Sequence, residues 1–267
     1  MFLPLRDALP TRHLPIITIA LILVNVLVYV AGMLPADRQV EGSTRQISQH
    51  DVWQVEYGAI PCEISGRCAN QDAVVVVDGG ILDPQPRQLT AQVDQHAPAL
   101  TLVTSMFLHG GMLHLFFNML FLWVYGSTVE DAMHPLAFLG FYVLAGMVAG
   151  IAQVAVAASA TTPTIGASGA IAAVIGGYVL LYPRMPMLTL VFPPFFAWLP
   201  AWIVAGGWGL IQLVATWRSL LAPAALDGGV AYMAHFAGFV VGIVAITFFA
   251  DRRNPAYDRV AGSSMSE

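Results

Sequence analysis

Charged residues are scarce in this sequence. Its 267 residues include no lysine, and Asp, Glu, Lys and Arg together make up only 10% of the chain, whereas they make up about 25% of an average soluble domain. Hydrophobic residues make up 57%, and the mean hydropathy is +0.71. This shortage of charge excludes an ordinary soluble domain and predicts an all-α polytopic membrane protein that contacts the lipid bilayer.

Basic clusters are also missing. The net charge is −5, and the longest run among the 11 arginines is the pair at 252–253. Because nucleic-acid binding needs a basic patch or stripe, we expect no nucleic-acid partner. Arginine without lysine, together with abundant alanine, favours a bacterium with a GC-rich genome and therefore a location in the plasma membrane.

Long apolar segments are abundant. A window of about 19 residues places six candidate spans at 16–34, 113–133, 136–158, 168–182, 195–216 and 229–250. The fourth span is about 20 Å long, which is too short for a hydrocarbon core of about 30 Å. We therefore predict six transmembrane helices, the fourth starting mid-membrane. The first span is alternatively a signal peptide, because Ala31-Gly32 could mimic a cleavage site.

The arginines of the short segments indicate orientation. Alternation of six spans puts most of them on one side, which the positive-inside rule makes cytoplasmic: Arg6, Arg12, Arg184, Arg252, Arg253 and Arg259. Only Arg218 among the short segments opposes this orientation. We expect a cytoplasmic N-terminus at 1–15, a cytoplasmic tail at 251–267 and an external segment at 35–108, which carries nine acids against four arginines.

The two cysteines of the chain, Cys62 and Cys68, both lie in the external segment. On the oxidising side of a membrane such a pair predicts a small disulfide loop, and free thiols are the alternative. A metal site is not expected, because no second cysteine pair accompanies them. Residues 73–77 have the composition of a short strand.

Two side chains with catalytic chemistry fall inside apolar spans. Ser168 opens the fourth span, and His235 lies about 9 Å into the sixth. A serine becomes a nucleophile when a nearby histidine removes its proton. Gly238 and Gly242 follow His235, and small residues also fill the fourth span, so the two helices can approach closely. The alternatives are a serine bonded to its own helix and a histidine that only bridges helices.

A second polar pair lies at the start of the second span. His114 and Asn118 are four residues apart and therefore share one helix face. Such donors can stabilise the oxyanion formed in acyl transfer, and we predict that role for both. The alternatives for His114 are metal binding and anchoring at the membrane interface. His109 is expected to order the preceding loop.

Three motifs together resemble those of the rhomboid intramembrane serine proteases: Gly-Ala-Ser-Gly at 166–169, His-x-x-x-Asn at 114–118 and Ala-His-Phe-Ala-Gly at 234–238. The resemblance covers about residues 100–250 and implies a catalytic core of five spans at 109–250 after the first transmembrane helix. It implies a Ser168–His235 dyad without an acidic third member, an oxyanion hole containing His114 and Asn118, and no cofactor. The implied activity is cleavage of transmembrane protein substrates in a water-filled site open to the outside.

Two positions depart from the family pattern. Ala172 stands where many members carry an aromatic residue that stacks on the histidine, and Leu100-Thr101 stands where many carry Trp-Arg. Glu130 matches an acidic position that stabilises the family's core, although a solvated charge beside Asp131 is an equal interpretation. Residues 217–228 match the family's cap over the site, and the fifth span matches its lateral gate.

Other functions fit the sequence less well. A soluble-type hydrolase needs Gly-x-Ser-x-Gly after a strand, but Ala170 occupies the last position. A transporter fits less well still, because no intramembrane carboxylate pair and no inverted repeat appears in the sequence. The strongest alternative is an inactive rhomboid-like protein that binds transmembrane helices and escorts them for degradation. Such relatives lack the serine or the histidine, whereas this chain has both.

Overall fold

The computed structural model describes residues 2–33, 49–68, 72–77, 87–92, 97–191, 195–221, 230–251 and 254–257. Two predicted features lie mostly outside these ranges: the cap segment 217–228 and the tail 251–267. The described part of the chain is mostly helical. Its helices, in chain order, are α1 (Ile16–Gly32), α2 (Gln49–Tyr57), α3 (Pro61–Ser65), α4 (Thr101–Thr104), α5 (Met112–Phe121), α6 (Ser127–Glu130), α7 (Pro135–Val156), α8 (Ser168–Leu181), α9 (Ala201–Leu221) and α10 (Tyr232–Phe249).

Three helices among the described residues are long and apolar enough to cross a membrane: Met112–Glu130, Pro135–Val156 and Tyr232–Phe249. The first of these joins α5 and α6 through a π-helical turn at Leu122–Gly126. Shorter apolar helices occupy Ile16–Gly32, Pro98–Phe107 and Ser168–Leu181. The chain is therefore a helical multi-pass membrane protein. The count of six spans, and the membrane depth at which α8 starts, stay predictions.

The all-α prediction is incomplete, because the chain also forms two small antiparallel sheets. One sheet contains β1 (Phe2–Asp7), β4 (Pro186–Val191) and β5 (Phe195–Pro200), with β4 in the middle. The other pairs β2 (Asp72–Val77) with β3 (Arg87–Gln92) and includes the strand predicted at 73–77. The first sheet escaped prediction in part because β5 is apolar and has the same composition as part of a span. Strands β1 and β4 lie outside every predicted span.

The helix predicted as the fifth span starts later than expected. Residues 195–200 were assigned to a helix, but they form β5, and α9 begins at Ala201 and continues to Leu221. Pro200 lies at this boundary. A proline has no backbone N–H and is tolerated at the first helical turn but not in a helix interior. The helix therefore has to begin close to Pro200.

Helices α8 and α10 touch through their backbones. A Cβ atom added to Gly242 would lie 1.9 Å from the Ala173 carbonyl oxygen, and one added to Gly238 would lie 2.2 Å from the Gly169 carbonyl oxygen. The two helices therefore run parallel, with residue 169 beside 238 and residue 173 beside 242. The predicted contact between small-residue faces is confirmed. It fixes the two helices against each other at van der Waals distance.

Buried carboxylates organise the end of the bundle where the chain begins. Glu130 is only 4% exposed, and its carboxylate accepts the backbone N–H groups of Ile17 and Thr18 in the first turn of α1 at 2.9 and 2.8 Å. An anion at this position accepts hydrogen bonds from backbone N–H groups that have no acceptor within the helix, and its charge interacts favourably with the helix dipole. The solvated interpretation of Glu130 is therefore wrong, and the residue stabilises the core. The neighbouring Asp131 pairs with Arg12 at 3.0 Å.

Asp7 is a third carboxylate at this end. It ends β1, and its Oδ2 accepts hydrogen bonds from the Thr128 hydroxyl at 2.7 Å and the Tyr178 hydroxyl at 3.0 Å. Burial raises the pKa of the Asp7 carboxyl above its ordinary value, and the two hydrogen bonds and the charge of Arg6 oppose that shift without cancelling it. Asp7 thus links the sheet to the second span and to α8.

The α8–α10 contact leaves no room for a side chain at residue 242. We expect Gly242→Ala to destabilise the protein by about 1–3 kcal/mol, because the added methyl group overpacks the contact. The matched control is Gly207→Ala on α9, where an added Cβ has no neighbour within 4 Å. That change should be neutral or stabilising by up to about 1 kcal/mol. Thermal unfolding in detergent measures the stability of both variants. Equal changes in stability would contradict the close contact at Gly242.

The buried Asp7 carboxyl should make stability depend on pH. Since its folded pKa lies above the unfolded value of 3.8, its contribution is fully present below that value and is lost as pH rises through the raised pKa. Asp7→Asn keeps an acceptor oxygen for Thr128 and Tyr178 but does not titrate. Thermal unfolding of both proteins from about pH 4 to pH 8 should show wild type losing stability relative to Asp7→Asn. A constant difference would contradict this role for Asp7.

Candidate active site

The site begins at the turn before α8. Gly166 has φ +117°, a conformation that residues with a side chain rarely adopt. A Cβ atom there would also lie 2.9 Å from the imidazole ring of His114, and the Gly166 N–H donates to the Ser105 carbonyl oxygen at 2.9 Å. Glycine is therefore required at 166, and the turn brings the His114 ring against the start of α8.

Ser168 and His235 form a hydrogen-bonded pair. Ser168 is the first residue of α8, and His235 lies in the first turn of α10, which begins at Tyr232. Helix α10 begins three residues later than the predicted span, so His235 is closer to the end of its helix than expected. The Ser168 Oγ lies 2.7 Å from the His235 Nε2. This is the distance over which a histidine can take a serine proton.

The other ring nitrogen of His235 contacts a residue that the sequence analysis missed. His235 Nδ1 lies 3.0 Å from Oε1 of Gln212 on α9, and Gln212 is only 8% exposed. One signal in the sequence marks Gln212: it is the only amide or charged side chain between Arg184 and Arg218. A strongly polar side chain in such an apolar stretch indicates a specific partner.

An aromatic ring also lies beside His235, but it comes from α9. The ring centroids of Trp208 and His235 are 6.0 Å apart. Ala172, where the family often has an aromatic residue, is fully buried, and a Cβ on Gly238 would lie 3.2 Å from its methyl group. Because α10 packs so closely on α8 at this level, an aromatic side chain has no room at 172.

His114 presents an N–H group toward the start of α8. The Gly110 N–H donates to His114 Nδ1 at 3.2 Å, so in the neutral ring the proton is on Nε2. The Cε1–Nε2 edge of the ring faces Gly166. His109 is fully buried, and its ring packs edge-on against His114 with centroids 5.2 Å apart. His109 therefore packs against the His114 ring, and its role in ordering the loop stays a prediction.

Asn118 lies one helical turn below His114 and is 6% exposed. Its Nδ2 donates to the His114 carbonyl oxygen at 2.8 Å. An amide nitrogen carries two N–H groups, so this bond uses only one of them. Asn118 therefore keeps one amide N–H that the bond to its own helix does not use.

A small cavity of about 30 Å³ lies beside Ser168. Its polar lining includes Ser105 and Thr164, and its apolar lining includes Met106 and Val154. A cavity needs about 10–15 Å³ to hold one water molecule. The space next to the serine is therefore large enough for a single water.

The segment between α1 and α4 supports the turn before α8. Ala59 and Thr164 exchange both backbone hydrogen bonds, at 3.1 and 2.8 Å, and the Cys62 N–H donates to the Ala160 carbonyl oxygen at 3.0 Å. Cys62 is fully buried and forms a disulfide with Cys68, with Cα atoms 4.7 Å apart. The disulfide loop therefore lies against the segment that leads to Gly166 and Ser168.

Comparison with known proteins agrees with this geometry. The family model for the rhomboid domain matches residues 97–252, which is more than half of the chain. The chain is also similar to Rhomboid protein 1, mitochondrial, of Saccharomyces cerevisiae, with 28% identity over 163 residues. That match covers 59% of this chain and 44% of the yeast protein, so the chain spans less than half of that relative's length. The extent of the domain match shows that this protein belongs to the rhomboid family.

Proposed function

We propose that this protein is an intramembrane serine endopeptidase that cleaves transmembrane protein substrates. The observation that carries the proposal is the 2.7 Å contact between Ser168 Oγ and His235 Nε2. In rhomboid-like proteins that only bind helices, one of these two residues is missing. A serine and a histidine at hydrogen-bond distance, both in the first turns of their helices and the serine beside a cavity, fit acyl transfer.

The reaction follows from the positions of the two side chains. His235 Nε2 takes the proton of Ser168 as Oγ forms a bond to the scissile carbonyl carbon. The imidazolium then gives that proton to the leaving amine nitrogen as the peptide C–N bond breaks. In the second half, His235 takes a proton from water, whose oxygen attacks the acyl ester, and returns a proton to Ser168. No cofactor takes part in this scheme.

In the proposed mechanism, three donors stabilise the oxyanion. The Ser168 N–H lies in the first turn of α8, where backbone N–H groups have no acceptor within the helix. His114 Nε2–H faces the adjacent Gly166, and Asn118 has its second amide N–H. Loss of one such donor typically lowers turnover by about 100-fold to 1,000-fold. We assign His114 and Asn118 to this role.

The membrane arrangement completes the proposal. We propose six spans with both termini in the cytoplasm, so that the start of α8 and the disulfide loop face the outside. A bacterial plasma membrane is the proposed location. The substrate would then reach Ser168 from the bilayer, while water would reach it from the external side.

Covalent labelling tests the nucleophile. The detergent-purified protein should react with a fluorophosphonate, and Ser168→Ala or His235→Ala should abolish that reaction, because the probe needs an activated serine. Ser219→Ala is the control, since Ser219 lies on α9 and donates to the Thr216 carbonyl oxygen. The control should label like wild type. Labelling that persists in Ser168→Ala would place the nucleophile elsewhere.

The Asn118→Ala variant distinguishes a protease from a protein that only binds helices. Because an oxyanion donor acts mainly in the transition state, turnover of a transmembrane substrate should fall by about 10-fold to 1,000-fold with little change in substrate capture. Asn25→Ala is a matched control, because Asn25 makes the same kind of bond to the Leu21 carbonyl oxygen, also at 2.8 Å, in α1. Its turnover should match wild type.

Two results of this comparison would contradict the proposal. Unchanged turnover in Asn118→Ala would remove that residue from the mechanism. Capture of transmembrane helices without cleavage by the wild-type chain would instead support the inactive, escorting relative.

A further inference from the structure

We propose that Gln212 is a positioning residue that fixes the proton of His235 on Nδ1, so that the reactive unit is Ser168, His235 and Gln212. This inference rests on the proposed protease function and adds a third member to its dyad. Gln212 does not touch the substrate or the reacting atoms. It acts through the imidazole ring.

The choice of tautomer decides whether His235 can act as a base. A neutral imidazole carries one proton, on Nδ1 or on Nε2, and only the nitrogen without the proton can accept another. Nε2 faces Ser168 Oγ at 2.7 Å. His235 can therefore activate the serine only when its proton is on Nδ1.

Gln212 supplies the group that selects this tautomer. Its Oε1 lies 3.0 Å from Nδ1, and an amide oxygen can only accept a hydrogen bond. Nδ1 must therefore donate, which leaves the Nε2 lone pair for the Ser168 proton. Since Gln212 is almost fully buried, bulk water does not compete for Nδ1.

Gln212 lies on the buried face of α9, which directs its amide toward His235. The buried residues of α9 recur every one to four positions along one face: Ala201, Val204, Ala205, Gly209, Gln212 and Thr216. Gln212 is the one amide in this face, which otherwise packs small and apolar groups against the bundle. Its side chain is therefore directed at α10 by the same packing that buries the helix.

A glycine allows α9 to approach α10 at the level of the histidine. A Cβ atom added to Gly209 would lie 2.8 Å from the Phe239 ring, which is one turn beyond His235 on α10. Trp208 lies beside both the His235 and Phe239 rings. The histidine is thus held on one side by an indole and at Nδ1 by an amide, although Ala172 offers it no aromatic ring.

A neutral acceptor suits this location. A carboxylate at the same place would also orient the ring, but an ionised group inside a membrane bundle is costly unless fully paired. An amide orients His235 without adding a charge. This explains how the chain fixes its base without an acidic third member.

Two substitutions of nearly equal size test the inference. Methionine at 212 has the same length as glutamine but no acceptor of comparable strength. In Gln212→Met, kcat should therefore fall by about 10-fold to 100-fold, which is the effect of removing a residue that orients a metal-bound histidine, while KM changes little. Gln212→Glu keeps an oxygen acceptor and should retain most of the wild-type kcat. Leu213→Met is the control, because Leu213 is exposed and does not belong to the buried face of α9.

Thermal unfolding distinguishes positioning from a merely structural role. Methionine suits a buried, apolar helix face better than glutamate does, so Gln212→Met should be at least as stable as Gln212→Glu. A structural role predicts that activity follows this order. The positioning role predicts the reverse order of activity. Gln212→Glu should be the more active of the two variants, although it is not the more stable one.

The outcomes separate this inference from the proposed function. If wild type cleaves the substrate and labels with fluorophosphonate, but Gln212→Met has wild-type kcat, the inference is overturned and the protease function stands. Activity in Gln212→Met equal to or above that of Gln212→Glu also overturns it. A wild-type chain that neither labels nor cleaves overturns both.

Discussion

The backbone contact between α8 and α10 is the constraint on which the site depends. Ser168 opens one helix and His235 lies in the first turn of the other, so their separation is set by how closely the two helices pack. Gly238 and Gly242 allow an approach at which any larger residue would collide with a carbonyl oxygen. Inside a membrane, close packing of this kind replaces the hydrophobic effect as the force that holds helices together.

A second set of contacts fixes the direction in which the serine points. The turn before α8 is tied to the segment between α1 and α4 by the Ala59–Thr164 pair and to the short helical turn at 105–107 by the Gly166–Ser105 bond. Gly166 then takes a conformation open to glycine and lies against His114. The described residues between α1 and α4 therefore contribute to the candidate site by holding this turn.

The sequence predicted those parts of the structure whose signals are local. Small residues at helical spacing identified the α8–α10 contact, and the motifs around Ser168 and His235 identified the paired side chains. The β1–β4–β5 sheet was missed because periodicity could not separate the apolar strand β5 from α9, and β1 and β4 lie too far apart in the sequence for a local signal to pair them. Gln212 was missed for a different reason: a single amide in an apolar helix has no motif, and its partner lies 23 residues away on another helix.

The distribution of polar groups shows how the bundle accommodates them. Carboxylates are buried at the end where the chain begins, and each has specific partners there: Glu130 has backbone N–H groups, Asp131 has Arg12, and Asp7 has two hydroxyls. The site at the starts of α8 and α10 uses neutral groups instead, namely serine, histidine and amides. Burying a charge costs more than burying a neutral dipole unless its partners are complete. In the proposed protease a substrate would have to enter and leave, so partners at the site could not stay complete, and neutral groups are the ones that suit such a place.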